Sequence, residues 1–421
     1  MRIVDQVWND IFNDFPVLET IEQTGRFEIT ANQIRNYYEP RLVTKFDFRQ
    51  ALPEIMRSLG ISILPNTTGT YVIGKFDIFK DFPKESTKVY PVSFPEWIES
   101  IDPMNINSEA IAITAATITP MFQDFYQDER LVGTVSGRMG SGRFDFLIGN
   151  EKISVNSSQI EIDGALESPE RFILLEGKNI IHDDFIVRQL YYPYRTFVNK
   201  VNKPIHSLFI TYSNNVYRLM EYKFTDLMRY DSCEFVREKK YCIDLDIITF
   251  KDIEEVHLEV ANRWFNSECP NKEETYGAPF PQCDSFSKIV SIIENLAKRD
   301  EMTEADIVEL FGFTPRQANY YFNGCRYLGM VQKERGKIAL TNRGRCLVGM
   351  DYKARQLRIV SYIFEHPLFF DLFIHYRNLG KIERALIKRM MKYHKVCAEG
   401  VIDRRSSTVM CWFDWILGLI N

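Results

Sequence analysis

The run Phe172-Ile173-Leu174-Leu175-Glu176-Gly177-Lys178 constrains this chain more than any other stretch. Four apolar residues in a row read as a buried strand, and that strand ends on an acid and a lysine two positions apart. Side chains alternate faces along a strand, so Glu176 and Lys178 share one face. A second strand-like run, SSQIEIDGAL (157–166), precedes it across the turn-rich ESPE (167–170). Gln159, Glu161 and Asp163 share one of its faces, Ile160 and Ile162 the other. If the two runs pair as a hairpin, Asp163 and Glu176 meet at one end with Lys178 alongside. A charge at the end of a buried strand is a better site candidate than one on a polar strand.

Two carboxylates and an amine that converge in this way have a chemical logic. Mg²⁺ prefers oxygen ligands, keeps several waters and needs only one or two protein carboxylates. Asp163 and Glu176 are the candidate ligands, with the carbonyl of Gly177 as a further donor. A metal held there lowers the pKa of a bound water and offsets charge on a scissile phosphate. Lys178 would orient that water or stabilise the developing charge. A bare acid-x12-ExK spacing recurs by chance and also fits a surface hairpin with solvated charges. The apolar run ahead of Glu176 is what favours a site.

The rest of the chain sets an α/β (α+β) multidomain frame. Its 421 residues exceed one ordinary core, and 45% hydrophobic with 26% charged residues is the balance of a soluble globular protein. Residues 1–100 read as an N-terminal α+β domain whose candidate role is contact with DNA. Within it, 29–38 has helical spacing with Thr30 as N-cap, and 70–79 alternates like a half-buried strand. Residues 101–267 read as the domain that carries the acid and lysine strands. They predict a buried helix over 106–125 that ends before Pro120, and a hairpin over 133–149 bent at Gly140 and Gly142. After the acid and lysine strands come a helix over 183–201 interrupted by Pro193 and a hairpin from 206–214 and 216–224. This order of helix, strands, helix and strand is α/β.

Pro, Gly and charge mark 268–284 as a linker. Residues 285–350 predict three helices (286–298, 303–312, 314–331) and a β-wing (333–348), the winged-helix pattern. Residues 351–421 read as a further helical domain. Arg316, Gln317 and Asn319 fall at the start of the third helix, where winged helices present side chains to base edges. The bland alternative is a module used only for packing or dimerisation. A basic cluster over 381–395 includes Lys388, Arg389 and Lys392, which suits phosphate contact or an ordinary solvated helix face.

A net charge of −5 runs against a uniformly basic nucleic-acid protein, so any basic surface must be local. The 8 cysteines include no CxxC pair, and the Cys269 to Cys283 gap suits no common zinc module. His182 reads as structural or solvent-exposed rather than as a general base, and GRMGSG (137–142) as a turn rather than a phosphate loop. No run reaches bilayer length and the N-terminus lacks an apolar signal core, so a cytoplasmic protein with reduced thiols and no membrane partner is expected.

QIEIDGALE, FILLEGKN and DDFIVRQLYYPYR together resemble the core of a family of bacterial type II restriction endonucleases of the PD-(D/E)XK fold. EPRLVTKFD (39–47), LPNTTGTYVIGKFD (64–77), GTVSGRMGSGRFDF (133–146), PFPQCDSF (279–286), RQANYYFNGCRYLGMV (316–331) and RRSSTVMCWFDWI (404–416) extend the resemblance in order along the chain. It implies a restriction-endonuclease-like core with a mixed sheet flanked by helices, followed by the winged-helix region. It also implies that Asp163 and Glu176 hold Mg²⁺ and that Lys178 is the catalytic lysine. Gln189, on the next helix, would orient the lysine or touch the DNA backbone, with Tyr192 or Tyr194 nearby. Glu161 would be an accessory acid and Glu109 the distal acid of a second metal. The implied activity is sequence-specific cleavage of double-stranded DNA within a restriction-modification system. Its cognate DNA methyltransferase would be a functional partner, and a homodimer on DNA would cut both strands. The chain departs from the resemblance at Gly164-Ala165, where Ala-Gly is expected, and at Gly177, where Ala is expected. A repair or structure-specific nuclease and a non-catalytic winged-helix DNA-binding regulator are the alternatives. Whether Asp163, Glu176 and Lys178 cluster in space separates the regulator from the nucleases.

Overall fold

The computed structural model describes residues 2–420 apart from 87, 245 and 267–276. Most of the expected 268–284 linker, with Cys269, therefore lies outside the described residues. The architecture is mixed α/β. Its central sheet has seven strands in the spatial order Val89–Val92, Cys233–Ile243, Val216–Phe224, Ile205–Ser213, Phe172–Lys178, Gly164–Glu167 and Val132–Gly133. The helix Glu109–Ile118 precedes three antiparallel strands, of which Phe172–Lys178 is the last. The helix Arg188–Phe197 then carries the chain across, and Ile205–Ser213 returns parallel to Phe172–Lys178. Parallel neighbours require such a crossover.

The apolar run is buried because both sheet faces are covered. Phe172 and Leu174 pack into a core that contains Leu190 and Tyr191 of the crossover helix. Ile173 and Leu175 face the other way, into a core with Ile113 and Ala116 of the Glu109–Ile118 helix. Alternation therefore puts Glu176 and Lys178 on the crossover-helix side and Gly177 on the side of Ile113.

Three local expectations are corrected. The run 157–166 is two strands: Gln159–Ile162 pairs with Gly137–Gly140, whereas Gly164–Glu167 pairs with Phe172–Lys178. Asp163 is the residue at which the chain passes from one sheet to the other. The run 133–149 is not a hairpin, since Gly137–Gly140 has its partner in Gln159–Ile162 and Arg143–Ile148 pairs with Glu151–Asn156. Gly142 (φ +74°) turns the chain between these sheets, at a backbone angle that suits glycine. In 183–201, Asp184–Ile186 is a short strand against Phe79–Asp81, and the helix runs through Pro193 without a break. The N–H that Pro193 lacks would have met the carbonyl of Gln189 one turn earlier.

Other expectations hold. The helix over 106–125 divides at Pro120 into Glu109–Ile118 and Met121–Tyr126. Ile205–Ser213 and Val216–Phe224 form a hairpin, and its turn residues Asn214 and Asn215 both have positive φ. Thr30 closes a capping box with Gln33, although its helix is only Ala31–Arg35. The N-terminal three-stranded sheet (Arg26–Thr30, Thr70–Gly74, Ser62–Pro65) shares one core with Phe146, Tyr191 and Tyr192.

Toward the C-terminus, helices Phe286–Arg299, Glu304–Phe311 and Pro315–Tyr327 accompany a small sheet of Glu301–Met302, Lys337–Leu340 and Val331–Glu334. Three helices and a hairpin occur in the expected order, but the hairpin is Val331–Glu334 with Lys337–Leu340, and Asn342–Cys346, inside the expected 333–348 wing, is helix. Helices Tyr352–Phe364, Pro367–Leu379, Arg384–Tyr393 and Glu399–Gly418 follow, and Ile289, Phe322, Leu340, Phe369 and Trp412 belong to one continuous core. None of the described cysteines is in a disulfide, and no described helix is long and apolar enough to cross a membrane.

A buried polar network ties the Asn214-Asn215 turn to these helices. Arg355 donates to Glu294 (2.9 Å) and to Asn215 Oδ1 (3.2 Å), Glu294 also accepts from the Asn214 N–H (3.0 Å), and Gln356 donates to Asn214 Oδ1 (2.9 Å). Removing one side of a buried ion pair leaves the other uncompensated. Arg355→Ala is expected to lose about 3 kcal/mol of stability in urea unfolding.

Candidate active site

The switch between sheets places Asp163 immediately before the ladder in which Gly164 faces Leu175, so it stands beside Glu176. Its Oδ2 accepts the Gly177 N–H at 2.8 Å, which fixes the carboxylate against the strand end. Glu176 Oε1 accepts from Lys178 Nζ at 2.7 Å, and Asp47 lies 4.0 Å from the same ammonium. Asp163, Glu176 and Lys178 thus meet, as the spacing anticipates. They line one cleft of about 290 Å³ together with Glu161, Gln189 and Glu109. Every acid and amide expected to serve catalysis therefore faces the same space.

Three further charged residues of the cleft were not among the sequence candidates: Lys45, Asp47 and Arg188. Lys45 and Asp47 occupy KFD (45–47), inside a stretch that carried the family resemblance but no assigned role, and Arg188 precedes Gln189 on the crossover helix.

Burial dominates the electrostatics. Glu176 is almost wholly buried, and burial pushes its carboxyl up to about 8 despite the pull of Lys178. Burial likewise raises Asp163, against the Gly177 N–H, and raises Glu109, against Lys178. Burial alone would lower Lys178, but the carboxylates of Glu176, Asp47 and Glu109 outweigh it and hold the amine protonated. Five carboxylates thus face three cationic side chains, and three of the five are held above their usual range. In addition, Gln189 Oε1 is buried without a hydrogen-bond partner. Acids that resist ionisation for want of positive charge, beside an unused oxygen, fit a divalent cation. Among the described residues no three His, Cys, Asp or Glu form a ready-made metal cluster. Mg²⁺ does not require one, because water fills the rest of its shell. Asp163 and Glu176 would hold it. Glu109 is available to a second ion, and with the Asn179 amide turned to suit its neighbours its nitrogen donates to Glu109 Oε1 at 3.2 Å.

Other candidates have different surroundings. Glu161 is exposed and pairs with Arg138 at 3.2 Å, at the rim rather than in the depth of the cleft. An alanine at Gly177 would meet Cδ1 of Ile113 at 2.9 Å, a contact that the end of a flexible side chain can relieve. Tyr192 and Tyr194 do not reach the cleft: Tyr192 donates to the Pro65 carbonyl (2.9 Å), and Tyr194 packs on Phe224. Pro193 takes their place in the lining. The His182 ring stacks on Phe48 at 3.8 Å, and burial pushes it down to about 4, which fits the structural reading.

Arg316, Gln317 and Asn319 are exposed on the Pro315–Tyr327 helix. Gln317 closes the capping box with Thr314, Arg316 donates to Tyr320, and Asn319 accepts from Asn323. In the 381–395 cluster, Lys388 pairs with Asp403 and Lys392 with Glu399 (3.4 Å), so the following helix neutralises part of that face. Arg389 remains exposed.

Burial raises the carboxyl of Glu176 above its ordinary value of 4.5 in the folded chain, whereas the unfolded chain ionises near 4.5. Its contribution to stability is therefore full below pH 4.5 and declines as pH rises toward 8. Glu176→Gln lacks this penalty. In metal-free buffer, the melting temperature of the variant relative to the original protein is expected to rise by several degrees between pH 5 and pH 8.

Three family profiles match the chain, each described as a domain of unknown function: DUF6996 over residues 5–73, DUF6997 over 74–242 and DUF7226 over 288–421. The cleft draws Lys45 and Asp47 from the first segment and its other residues from the second. No curated protein and no solved structure matches.

Proposed function

We propose that this chain is a Mg²⁺-dependent type II restriction endonuclease with a PD-(D/E)XK core that cuts double-stranded DNA at a specific sequence. The observation that carries the reading is the convergence of Asp163, Glu176 and Lys178 on one cleft at the end of a buried strand. The path of helix, three antiparallel strands, crossover helix and parallel strand supports it, because that path sets the acids and the lysine at the strand edge. Gln189, reaching the same cleft from the crossover helix, supports it further.

When bound, the metal supplies an acidified water and charge neutralisation at the phosphate. The remaining work falls to the chain. Asp163 is preorganised by the Gly177 N–H and needs no rearrangement to present its free oxygen. Lys178 stays protonated and, with one of its three donors on Glu176, has others for a phosphate oxygen or the attacking water. Gln189 brings an oxygen with no internal partner. The exposed start of the Pro315–Tyr327 helix offers Arg316 and Asn319 to base edges, while Gln317 is already engaged in capping. On this reading the protein works in the cytoplasm as two chains on DNA, and a cognate methyltransferase protects host sites.

Plasmid incubated with the protein and Mg²⁺ is expected to give discrete fragments. Lys178→Ala should slow cleavage by roughly 10²–10³-fold, the usual cost of one charge-stabilising donor, and Asp163→Ala by at least as much. Both should retain DNA binding. Smeared or nicked products would point to a repair or structure-specific nuclease, and binding without cleavage to a regulator.

A further inference from the structure

A second cavity, of about 280 Å³, opens from the catalytic cleft and shares Lys45, Gln159 and Arg188 with it. Its charge is opposite. Arg35, Arg41, Lys45, Arg138 and Arg188 line it against one acid, Glu39. Arg138 pairs with Glu161 on the cleft side. Among the described residues, Arg35, Arg41, Lys45 and Arg188 stand in no ion pair, and Arg35 is steadied only by Asn32 (2.7 Å). Gathering unneutralised cations on one surface opposes folding unless an anion joins them. A second observation is independent of charge. Ser158 lines the cavity, is 1% exposed, and its hydroxyl has no hydrogen-bond partner.

The cavity is also rigidly built. One wall is the Ala31–Arg35 and Pro40–Val43 helices with the 66–69 turn; the other is Gly137–Gly140, the 157–158 loop and the start of the crossover helix. The walls are tied by the Asn156 N–H to the Asn66 carbonyl (2.8 Å), by the Thr68 hydroxyl to the Ser157 carbonyl (2.8 Å), and by Tyr192 to the Pro65 carbonyl.

We infer that this groove is a phosphate track, gripping the DNA backbone next to the phosphate being cut. The inference rests on the nuclease reading of the adjoining cleft and assigns a task to the N-terminal segment. A strand lying along the groove would set its phosphates against Arg35, Arg41 and Arg138 and deliver the next one, past Lys45 and Arg188, to the carboxylates. The acidic end suits a metal and the basic end suits phosphates, so one strand spans both.

The test is the salt dependence of binding to a fluorescein-labelled DNA duplex, with Ca²⁺ replacing Mg²⁺. Each phosphate contact contributes about 0.9 to the slope of log affinity against log salt. Arg35→Ala, Arg41→Ala and Arg138→Ala should each lower the slope by about that amount without lowering the melting temperature, and Arg41→Lys should restore it. An unchanged slope in the triple variant, or no binding by the original protein at low salt, overturns the track. A lowered slope in a protein that never cuts would uphold the track while the nuclease reading fails. Cleavage with an unchanged slope would do the reverse.

Discussion

The structure turns on an electrostatic debt at the end of one strand. Phe172 to Leu175 must be buried for the central sheet to exist, and the strand continues directly into Glu176 and Lys178. The carboxylate of Glu176 is drawn out of water with a single lysine for company, and Asp163 and Glu109 are half-buried nearby without further cations of their own. A folded protein rarely keeps such a group for stability, since a well-packed apolar residue would serve better there. It is sensible if a cation completes the site. The Gly177 N–H to Asp163 bond and the Asn179 brace on Glu109 hold the acids in place in the meantime.

That deficit has a counterpart across the shared wall. The basic groove places cations, most of them outside any ion pair, beside an acid-rich cleft, with Lys45 and Arg188 belonging to both. A net charge of −5 conceals this, because what a ligand meets is the local arrangement and not the sum. The C-terminal helices are joined to the same sheet through the Arg355–Glu294–Asn215 network, so a DNA-reading face on the Pro315–Tyr327 helix would be held in register with the cleft.

Features written in local sequence were legible. The ESPE turn, the Asn214-Asn215 turn, the Thr30 cap and the three helices with a wing each depend on residues a few positions apart. The meeting of Asp163, Glu176 and Lys178 was legible too, because it follows from alternation along a hairpin. What failed was choice of partner. Alternation through 157–166 does not reveal that Asp163 is where one sheet ends and another begins, and the glycines of 133–149 do not say that Gly137–Gly140 pairs with Gln159–Ile162. Pro193 looked like a break because propensity weighs its missing hydrogen bond, whereas burial on the crossover helix outweighs that loss. Lys45, Asp47 and the groove were out of reach for a related reason: they come from a segment more than a hundred residues from Asp163, and only tertiary contact joins them. The acids that quench Lys388 and Lys392 likewise sit on the next helix.

The central claim is that the buried acids exist to hold a divalent cation. Anomalous scattering from a crystal soaked in Mn²⁺ tests it most directly. The account predicts a peak in contact with Asp163 and Glu176, with Lys178 beside it. A crystal that diffracts well and binds Mn²⁺ elsewhere, or nowhere, with Glu176 still bonded to Lys178, would contradict it.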